Sequence, residues 1–159
     1  MCAGKHFEDH TLLRITLLVC CIFATPAVAG VKPPEPVLGP IHVIDGDTIR
    51  LASGETVRIY NIEAPETHKP HCAAEKWYGE SAPSYLATLL SAGGVMISRC
   101  EPASGRCKDR YGHTLATLST RNVNDVGDAL IGMGLAMPGR SERKAKDLWI
   151  EFWCKGPIE

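Results

Sequence analysis

The chain of 159 residues lacks an excess of basic charge, because 17 Lys and Arg are balanced by 18 Asp and Glu for a net charge of −1. Proteins that cover nucleic acid with a positive surface are usually basic, so the composition does not favour a broad electrostatic interface. An enzyme that engages few phosphates at a time can work without such a field. The sequence also has no repeats or low-complexity tracts, and its 45% hydrophobic content suffices for the core of one compact domain.

The sequence has no apolar run long enough for a full membrane span of about 20 residues. Its apolar run covers residues 15–24, follows two basic residues and leads to an A-x-A pattern at residues 27–29. This predicts a signal peptide over residues 1–29 and a secreted or periplasmic protein. Because Glu8 and Asp9 cancel the basic charge ahead of the run, an uncleaved membrane anchor stays open as an alternative.

The cysteines include no C-x-x-C pair, which argues against a zinc site. Three of the seven lie in the predicted leader, and the remaining even set predicts two disulfides in an exported domain. Three pairings are possible. Cys100 and Cys107 lie on either side of a turn and could close it with a disulfide, which would leave Cys72 to pair with Cys154.

Residues 30–40 carry four prolines and predict an extended lead-in, with order expected from Ile41 onward. The domain is predicted to cover residues 41–154, in which β-type runs alternate with apolar stripes at helical spacing. The predicted strands are 41–44, 48–51, 55–62, 95–98 and 114–119, and the predicted helices are 73–91, a helix capped by Asn124 that runs to about Met133, and 141–154. Five strands with about three helices predict an α+β, mainly β fold, the five-stranded OB-fold barrel.

Three segments carry candidate chemistry: Val43 to Thr48 with D-G-D-T, Val57 to Thr67 with a strand that ends in two acids and a proline, and Asp109 to Ala116 with D-R-Y-G-H-T-L-A. Each is weak alone. The Asp-Gly pair is typical of a hairpin turn, and the basic and acidic residues of the second segment could simply be solvated.

Together, and in this order, the segments resemble the thermonuclease (staphylococcal nuclease-like) family, whose pattern is roughly D-G-D-T, then R-x-x-x-x-D-x-P-E, then D-x-Y-G-R-x-L-A. The resemblance runs from about Val43 to Ala136, and the short C-terminal end is similar to the compact exported branch. It implies that Asp47, Glu63 and the backbone carbonyl of Ala64 hold a metal.

The resemblance also implies that Arg58 grips the scissile phosphate and that Glu66 orients or deprotonates water. The chemistry is consistent, because hydrolysis of an anionic phosphodiester needs cations on its oxygens and a carboxylate that positions the nucleophile. The Arg fork can bind two phosphate oxygens at once. Hard oxygen ligands favour Ca²⁺ as the cofactor.

Tyr111 resembles the base-stacking tyrosine of the family, which would accept any base and either sugar; packing in the core is the alternative. Two positions depart from the family pattern. Glu63 stands where the family has Asp. His113 stands where the family has a second phosphate-gripping Arg. His113 would therefore bind phosphate more weakly, act as a general acid, or indicate an enzyme that has lost activity. Arg110 could substitute only if its segment is a loop, because residues 110 and 113 of a strand point to opposite faces.

The sequence therefore predicts an exported, calcium-dependent nuclease, a hydrolase that cleaves DNA and RNA as an endonuclease or exonuclease with little sequence preference. The alternative is a non-catalytic OB-fold module that binds nucleic acid. We expect a monomer with no stable protein partner, and no membrane association after leader cleavage.

Overall fold

The computed structural model describes residues 33–139 and 143–155. The predicted signal peptide, with its three cysteines, lies outside the described residues. Among the residues that are described, no helix is long and apolar enough to cross a membrane.

The described residues form eight strands and three helices. They are β1 (Glu35–Pro36), β2 (Ile41–Asp45), β3 (Thr48–Leu51), β4 (Thr56–Ile59), β5 (Ile62–Glu63), α1 (Ala73–Ser91), β6 (Met96–Arg99), β7 (Thr114–Ser119), α2 (Val126–Gly132), β8 (Met137–Pro138) and α3 (Arg143–Lys155). One sheet has the order β1-β6-β7-β4-β3-β2, and β5 pairs with β8 in a separate ribbon. Within the sheet β4 and β7 run parallel, and the other neighbours are antiparallel.

The predicted α+β composition, mainly β with three helices, is confirmed for the described part of the chain, but the sheet differs from the predicted five-stranded OB-fold barrel. The sheet has six strands and does not close. The lead-in supplies the sixth strand, in which Glu35 pairs with Ile97 at the outer edge of β6, while β2 pairs with β3 at the opposite edge. Residues 37–40 connect these two edge strands and belong to no strand, so no ladder joins β1 to β2. Pro36 is tolerated because an edge position needs no N–H for a further strand.

Two predicted boundaries also differ. The expected strand over residues 55–62 is split into β4 and β5, because Tyr60 donates its N–H to the Ala116 carbonyl at 3.2 Å while the Asn61 carbonyl accepts from Gly139 at 2.7 Å. The chain thus leaves one sheet and enters the ribbon within two residues. Helix α2 is capped by Asp125 rather than Asn124, since the Asp125 carboxylate accepts the N–H of Asp128 at 3.0 Å.

Helix α1 covers one face of the sheet with Ala82, Leu86 and Leu90, which recur every fourth residue and are all buried. They belong to the same apolar core as the inward-facing residues of β3 and β4. Gly46, in the turn between β2 and β3, lies against this helix. A Cβ there would be 2.7 Å from the Cβ atoms of Ala64 and Ala82, so only glycine lets the turn pack this closely.

Two disulfides link separate segments of the fold. Cys72 is bonded to Cys154 and joins the start of α1 to the end of α3. Cys100 is bonded to Cys107 and closes the loop between β6 and β7. The first bridge spans 82 residues of sequence and holds α3 against the domain.

Candidate active site

An open groove of about 1030 Å³ crosses the domain between the β2–β3 turn, β4, the segment after β5 and the loop before β7. It is polar and carries charges of both signs. All eight residues that the sequence analysis singled out for catalysis, metal binding or substrate binding line it: Asp47, Arg58, Glu63, Ala64, Glu66, Arg110, Tyr111 and His113. The fold therefore brings the three separate motifs to one place.

Arg58 occupies the centre of this arrangement. It lies on β4 directly opposite Thr48, so its side chain projects beside Asp47. Its Nη1 donates to Asp47 Oδ1 at 2.8 Å and its Nη2 to Glu63 Oε2 at 2.9 Å. Burial lowers the pKa of Arg58, but the two carboxylates more than offset this and raise the pKa above its usual value. The guanidinium is a permanent cation between two acids.

Asp47 is almost fully buried, with 4% of its surface exposed. Its Oδ2 accepts the Ala64 N–H at 3.1 Å, and its Oδ1 accepts the Thr48 hydroxyl at 2.9 Å in addition to Arg58. Burial raises the pKa of Asp47 to about 7; Arg58 lowers it and the nearby Asp45 raises it. The carboxylate is thus a buried charge that its protein neighbours only partly compensate.

Glu63 is held from two sides. Arg58 binds its Oε2, and the ammonium of Lys146 lies 2.8 Å from its Oε1. Sequence reasoning missed Lys146, which belongs to α3 and lies far along the chain. A usable signal was its spacing from Trp149 and Trp153, which places the three residues on one helical face.

Glu66 is exposed on the rim of the groove, and its carboxylate accepts the His68 N–H at 3.2 Å. Its loop lies close to α1 because Gly79 has no side chain. A Cβ at that position would be 3.0 to 3.1 Å from the carbonyl oxygens of Glu66 and Pro65 and from the methyl group of Thr67.

A second carboxylate behind this loop was also missed. Glu75 is buried and accepts the His71 N–H at 2.5 Å, the His71 ring Nδ1 at 2.9 Å and the Glu66 N–H at 3.4 Å. Its place three residues after the capping Cys72 is typical of a helix-capping glutamate, and that spacing could have predicted it. Glu75 thereby ties the Glu66 loop to the start of α1.

The segment before β7 is a turn rather than a strand. Asp109 Oδ1 accepts the N–H groups of Tyr111 and His113 at 2.8 and 2.9 Å, and Gly112 adopts a φ of +86° that favours glycine. Burial raises the pKa of Asp109, but these two N–H groups and the His113 ring outweigh it and lower the pKa below its usual value. The condition under which Arg110 could serve the site, a loop at this position, is met.

Tyr111 is 68% exposed, so core packing is not its role. The Arg110 guanidinium lies 4.7 Å from the centre of the Tyr111 ring. His113 Nδ1 is 3.0 Å from Asp109 Oδ2, which leaves the other ring nitrogen for a ligand. The turn thus presents an aromatic face, a cation and a single imidazole nitrogen to the groove.

The residues present fit a hard divalent cation only with help from other oxygens. Across the described residues, no group of three or more His, Cys, Asp or Glu side chains is placed to hold a metal. Asp47 and Glu63 are two carboxylates that both accept hydrogen bonds from Arg58. The pKa of Asp47 is raised because its ionised form is buried, and a bound cation would stabilise that ionised form. Such a donor set, completed by carbonyl and water oxygens, suits Ca²⁺ or Mg²⁺ rather than zinc.

The sequence matches a known protein family. Residues 56–151, 96 of the 159, match the family model described as "Staphylococcal nuclease homologue". The chain belongs to this family, which confirms the thermonuclease resemblance of the sequence.

Individual relatives also match parts of the chain. "Succinoglycan biosynthesis protein ExoI" of Rhizobium meliloti (strain 1021) is 35% identical over 113 residues, 69% of this chain and 56% of that protein. "Thermonuclease" of Staphylococcus intermedius is 33% identical over 107 residues, 65% and 56% of the two chains. "Endonuclease YhcR" of Bacillus subtilis (strain 168) is 36% identical over 103 residues, 60% of this chain but 8% of that protein. The chain thus spans about half the length of the first two and a small part of the third.

Proposed function

We propose that this protein is an exported, metal-dependent nuclease that hydrolyses phosphodiester bonds of DNA and RNA. The observation that carries the proposal is the Arg58 guanidinium held between Asp47 and Glu63 in an open groove, with the Glu66 carboxylate on its rim. Relatives named thermonuclease and endonuclease support the same reaction class.

The side chains suit in-line attack on phosphorus. Glu66 accepts a proton from the attacking water, the new P–O bond forms, and the ester bond to the leaving oxygen breaks as that oxygen takes up a proton from solvent. Arg58 turns its fork toward two phosphate oxygens and stabilises the charge that builds there. A calcium ion, held by Asp47, Glu63 and the Ala64 carbonyl, would neutralise phosphate charge and acidify water.

Substrate binding is assigned to the turn before β7. The exposed Tyr111 ring, backed by Arg110, offers a stacking face for a base, and stacking accepts every base. The free nitrogen of His113 makes one contact to phosphate. These contacts involve neither base edges nor the sugar, which supports low sequence preference and activity on both DNA and RNA.

Export is part of the proposal. Residues 1–29 carry the pattern of a signal peptide, and two disulfides in the domain suit an oxidising compartment. We place the mature protein outside the cytoplasm as a monomer. Mass spectrometry of the protein recovered from the medium or periplasm tests this, because a chain that still begins at Met1 and stays with membranes would contradict cleavage.

The test of catalysis is release of acid-soluble nucleotides from single-stranded DNA and from RNA by the purified protein, with calcium and with chelator. Glu66→Gln is compared with Glu80→Gln, an exposed glutamate of α1 outside the groove. We expect calcium-dependent release from wild type and Glu80→Gln, and loss of at least about 10²-fold in Glu66→Gln. Equal rates with chelator, or no effect of Glu66→Gln, would reject the assignment.

A binding module without turnover is the second candidate. It is favoured by one observation: His113 replaces the second phosphate-gripping arginine of the family pattern, and one of its ring nitrogens is already committed to Asp109. If wild type binds single strands but releases no nucleotides, and only His113→Arg shows turnover, this second function is the correct one.

A further inference from the structure

We propose that Lys146 of α3 is a second phosphate-binding cation of the groove, acting beside Arg58. This rests on the proposed function, because it assigns a substrate contact in that same site. The three motifs that identified Arg58 and His113 do not include Lys146.

The position of the ammonium carries the inference. Lys146 Nζ lies 2.8 Å from Glu63 Oε1, while Arg58 holds Glu63 Oε2. Among the described residues, these are the two cations within ion-pair distance of Glu63. Lys146 is 61% exposed and lines the groove, so a polyanion in the groove can reach it without any change of the backbone.

The packing of α3 explains why Lys146 points there. Lys146, Trp149 and Trp153 are spaced three and four residues apart and therefore share one face of the helix. Trp153 is buried, and Trp149 and Trp153 line a small cavity of about 90 Å³ together with Glu63, Ala64 and Glu66. The face of α3 that packs against the domain therefore lies next to Glu63, Ala64 and Glu66, and it places Lys146 at the rim of the groove.

A further cation adds to the phosphate contacts of Arg58 and His113. Arg58 has to leave Asp47 and Glu63 before its fork can turn to phosphate, and His113 offers one nitrogen at most. Of the other arginines that line the groove, Arg106 pairs with Glu101, Arg110 lies over Tyr111, and Arg50 lies on β3 and makes no ion pair with Glu63. An ammonium at Glu63 can exchange a carboxylate oxygen for a phosphate oxygen at little cost, because it is a compact charge on a flexible stem.

The rival interpretation is a surface ion pair that only helps to hold α3. Lys155 provides a matched control, because it is an exposed lysine of the same helix, paired with Glu151 at 2.6 Å, and does not line the groove. Substitution of Lys155 removes the same charge and a similar ion pair without touching the groove.

The experiment measures binding of a fluorescent single-stranded oligonucleotide by anisotropy over a range of salt concentrations. It uses the full chain with the Glu66→Gln substitution in calcium, so that substrate is not consumed. For Lys146→Ala we expect about fivefold weaker binding and a slope of log affinity against log salt that is reduced by about 0.7, the value for one phosphate contact on a single strand. Lys146→Arg should keep the slope, and Lys155→Ala should match the parent.

An unchanged salt slope in Lys146→Ala, or an equal loss in Lys155→Ala, would overturn the proposal; thermal midpoints of all variants show whether any of them is misfolded. Calorimetric titration of calcium gives a second readout. Tighter calcium binding in Lys146→Ala with unchanged oligonucleotide binding would mean that Lys146 only competes for Glu63. If wild type binds strands but does not hydrolyse them, the nuclease proposal fails while the Lys146 test stands; if it does neither, both fail.

Discussion

Arg58 and Asp47 are joined by a 2.8 Å hydrogen bond between Nη1 and Oδ1, although eleven residues separate them in sequence. The contact exists because Thr48 and Arg58 are direct partners across β3 and β4, which places the residue before Thr48 beside the guanidinium. The same guanidinium reaches Glu63, where the chain has just left the sheet. One arginine thus connects the hairpin turn with the segment that follows β4.

The hydrolysis rate should depend more on the planar, two-pronged shape of the Arg58 guanidinium than on its positive charge alone. We expect Arg58→Ala to reduce the hydrolysis rate by about 10² to 10³, and Arg58→Lys to recover little of it, because an ammonium cannot bind two oxygens in one plane. Initial rates on single-stranded DNA measure this. Arg121→Ala, an exposed arginine that does not line the groove, is the control and should keep wild-type rates. A fully active Arg58→Lys would show that the fork is not used.

Restoring the family residue at position 113 should improve the site. Because His113 Nδ1 is held by Asp109, a phosphate can use only the other ring nitrogen, whereas arginine could offer two donors. We expect His113→Arg to hydrolyse DNA about tenfold or more faster at saturating calcium. A slower variant would instead support a proton-transfer role for the imidazole, which His113→Gln would then also lose.

The stability of the protein without metal should fall as the pH rises from about 4 to 7. The pKa of Asp47 is raised to about 7 in the fold against 3.8 for the free side chain, so between these values the folded state holds a proton that the unfolded chain has lost. Above pH 7 the buried carboxylate is charged, and a bound cation would compensate it. Thermal unfolding with chelator and with calcium should therefore show a larger calcium-dependent gain at pH 8 than at pH 5.

Asp47→Asn offers the control for this pH effect. The amide keeps the shape of the side chain but cannot ionise, so stability without metal should lose its fall between pH 4 and 7, and the gain from calcium should shrink. An unchanged calcium response in Asp47→Asn would mean that the ion binds elsewhere.

The two disulfides should contribute unequally. Chain entropy assigns about 4 kcal/mol to a bridge that spans 82 residues and about 2 kcal/mol to one that spans 7. Chemical denaturation of Cys72→Ser/Cys154→Ser and Cys100→Ser/Cys107→Ser double variants should show this order. The Cys72→Ser/Cys154→Ser variant should also bind the oligonucleotide more weakly, because it frees the end of α3, the helix that holds Lys146. Equal oligonucleotide binding by the two double variants would show that the Cys72–Cys154 bond does not help to position Lys146.

Much of the site could be predicted because its residues lie in short segments with strong local patterns. The Asp-Gly turn, the strand with Arg58 and the acid pair around Pro65 are together more specific than any one of them alone. Glu75 and Lys146 were missed for a different reason. Their contacts depend on which helices pack behind the 63–66 segment: Glu75 follows Glu66 by nine residues but reaches it only through the start of α1, and Lys146 lies far along the chain on α3.

The observed open, six-stranded sheet differs from the predicted five-stranded barrel because strand pairing depends on distant partners. The edge of β6 is taken by two residues of the Pro-rich lead-in, whose short length and proline content do not predict a strand. Likewise, the turn at Tyr60-Asn61 is set by hydrogen bonds to Ala116 and Gly139, which no local window includes.

The sequence by itself determined the helices, most strands, the α2 cap to within a residue, the family and a set of candidate site residues that all line one groove. These depend on interactions over a few residues, such as helical and strand periodicity, turn preference and side chains that cap a helix, or on motif order along the chain. Only the tertiary structure decided that the sheet stays open, that Arg58 lies between Asp47 and Glu63, that Tyr111 faces the groove and that α3 brings Lys146 to Glu63. Such contacts join residues far apart in the chain, and their geometry follows from how the core packs as a whole.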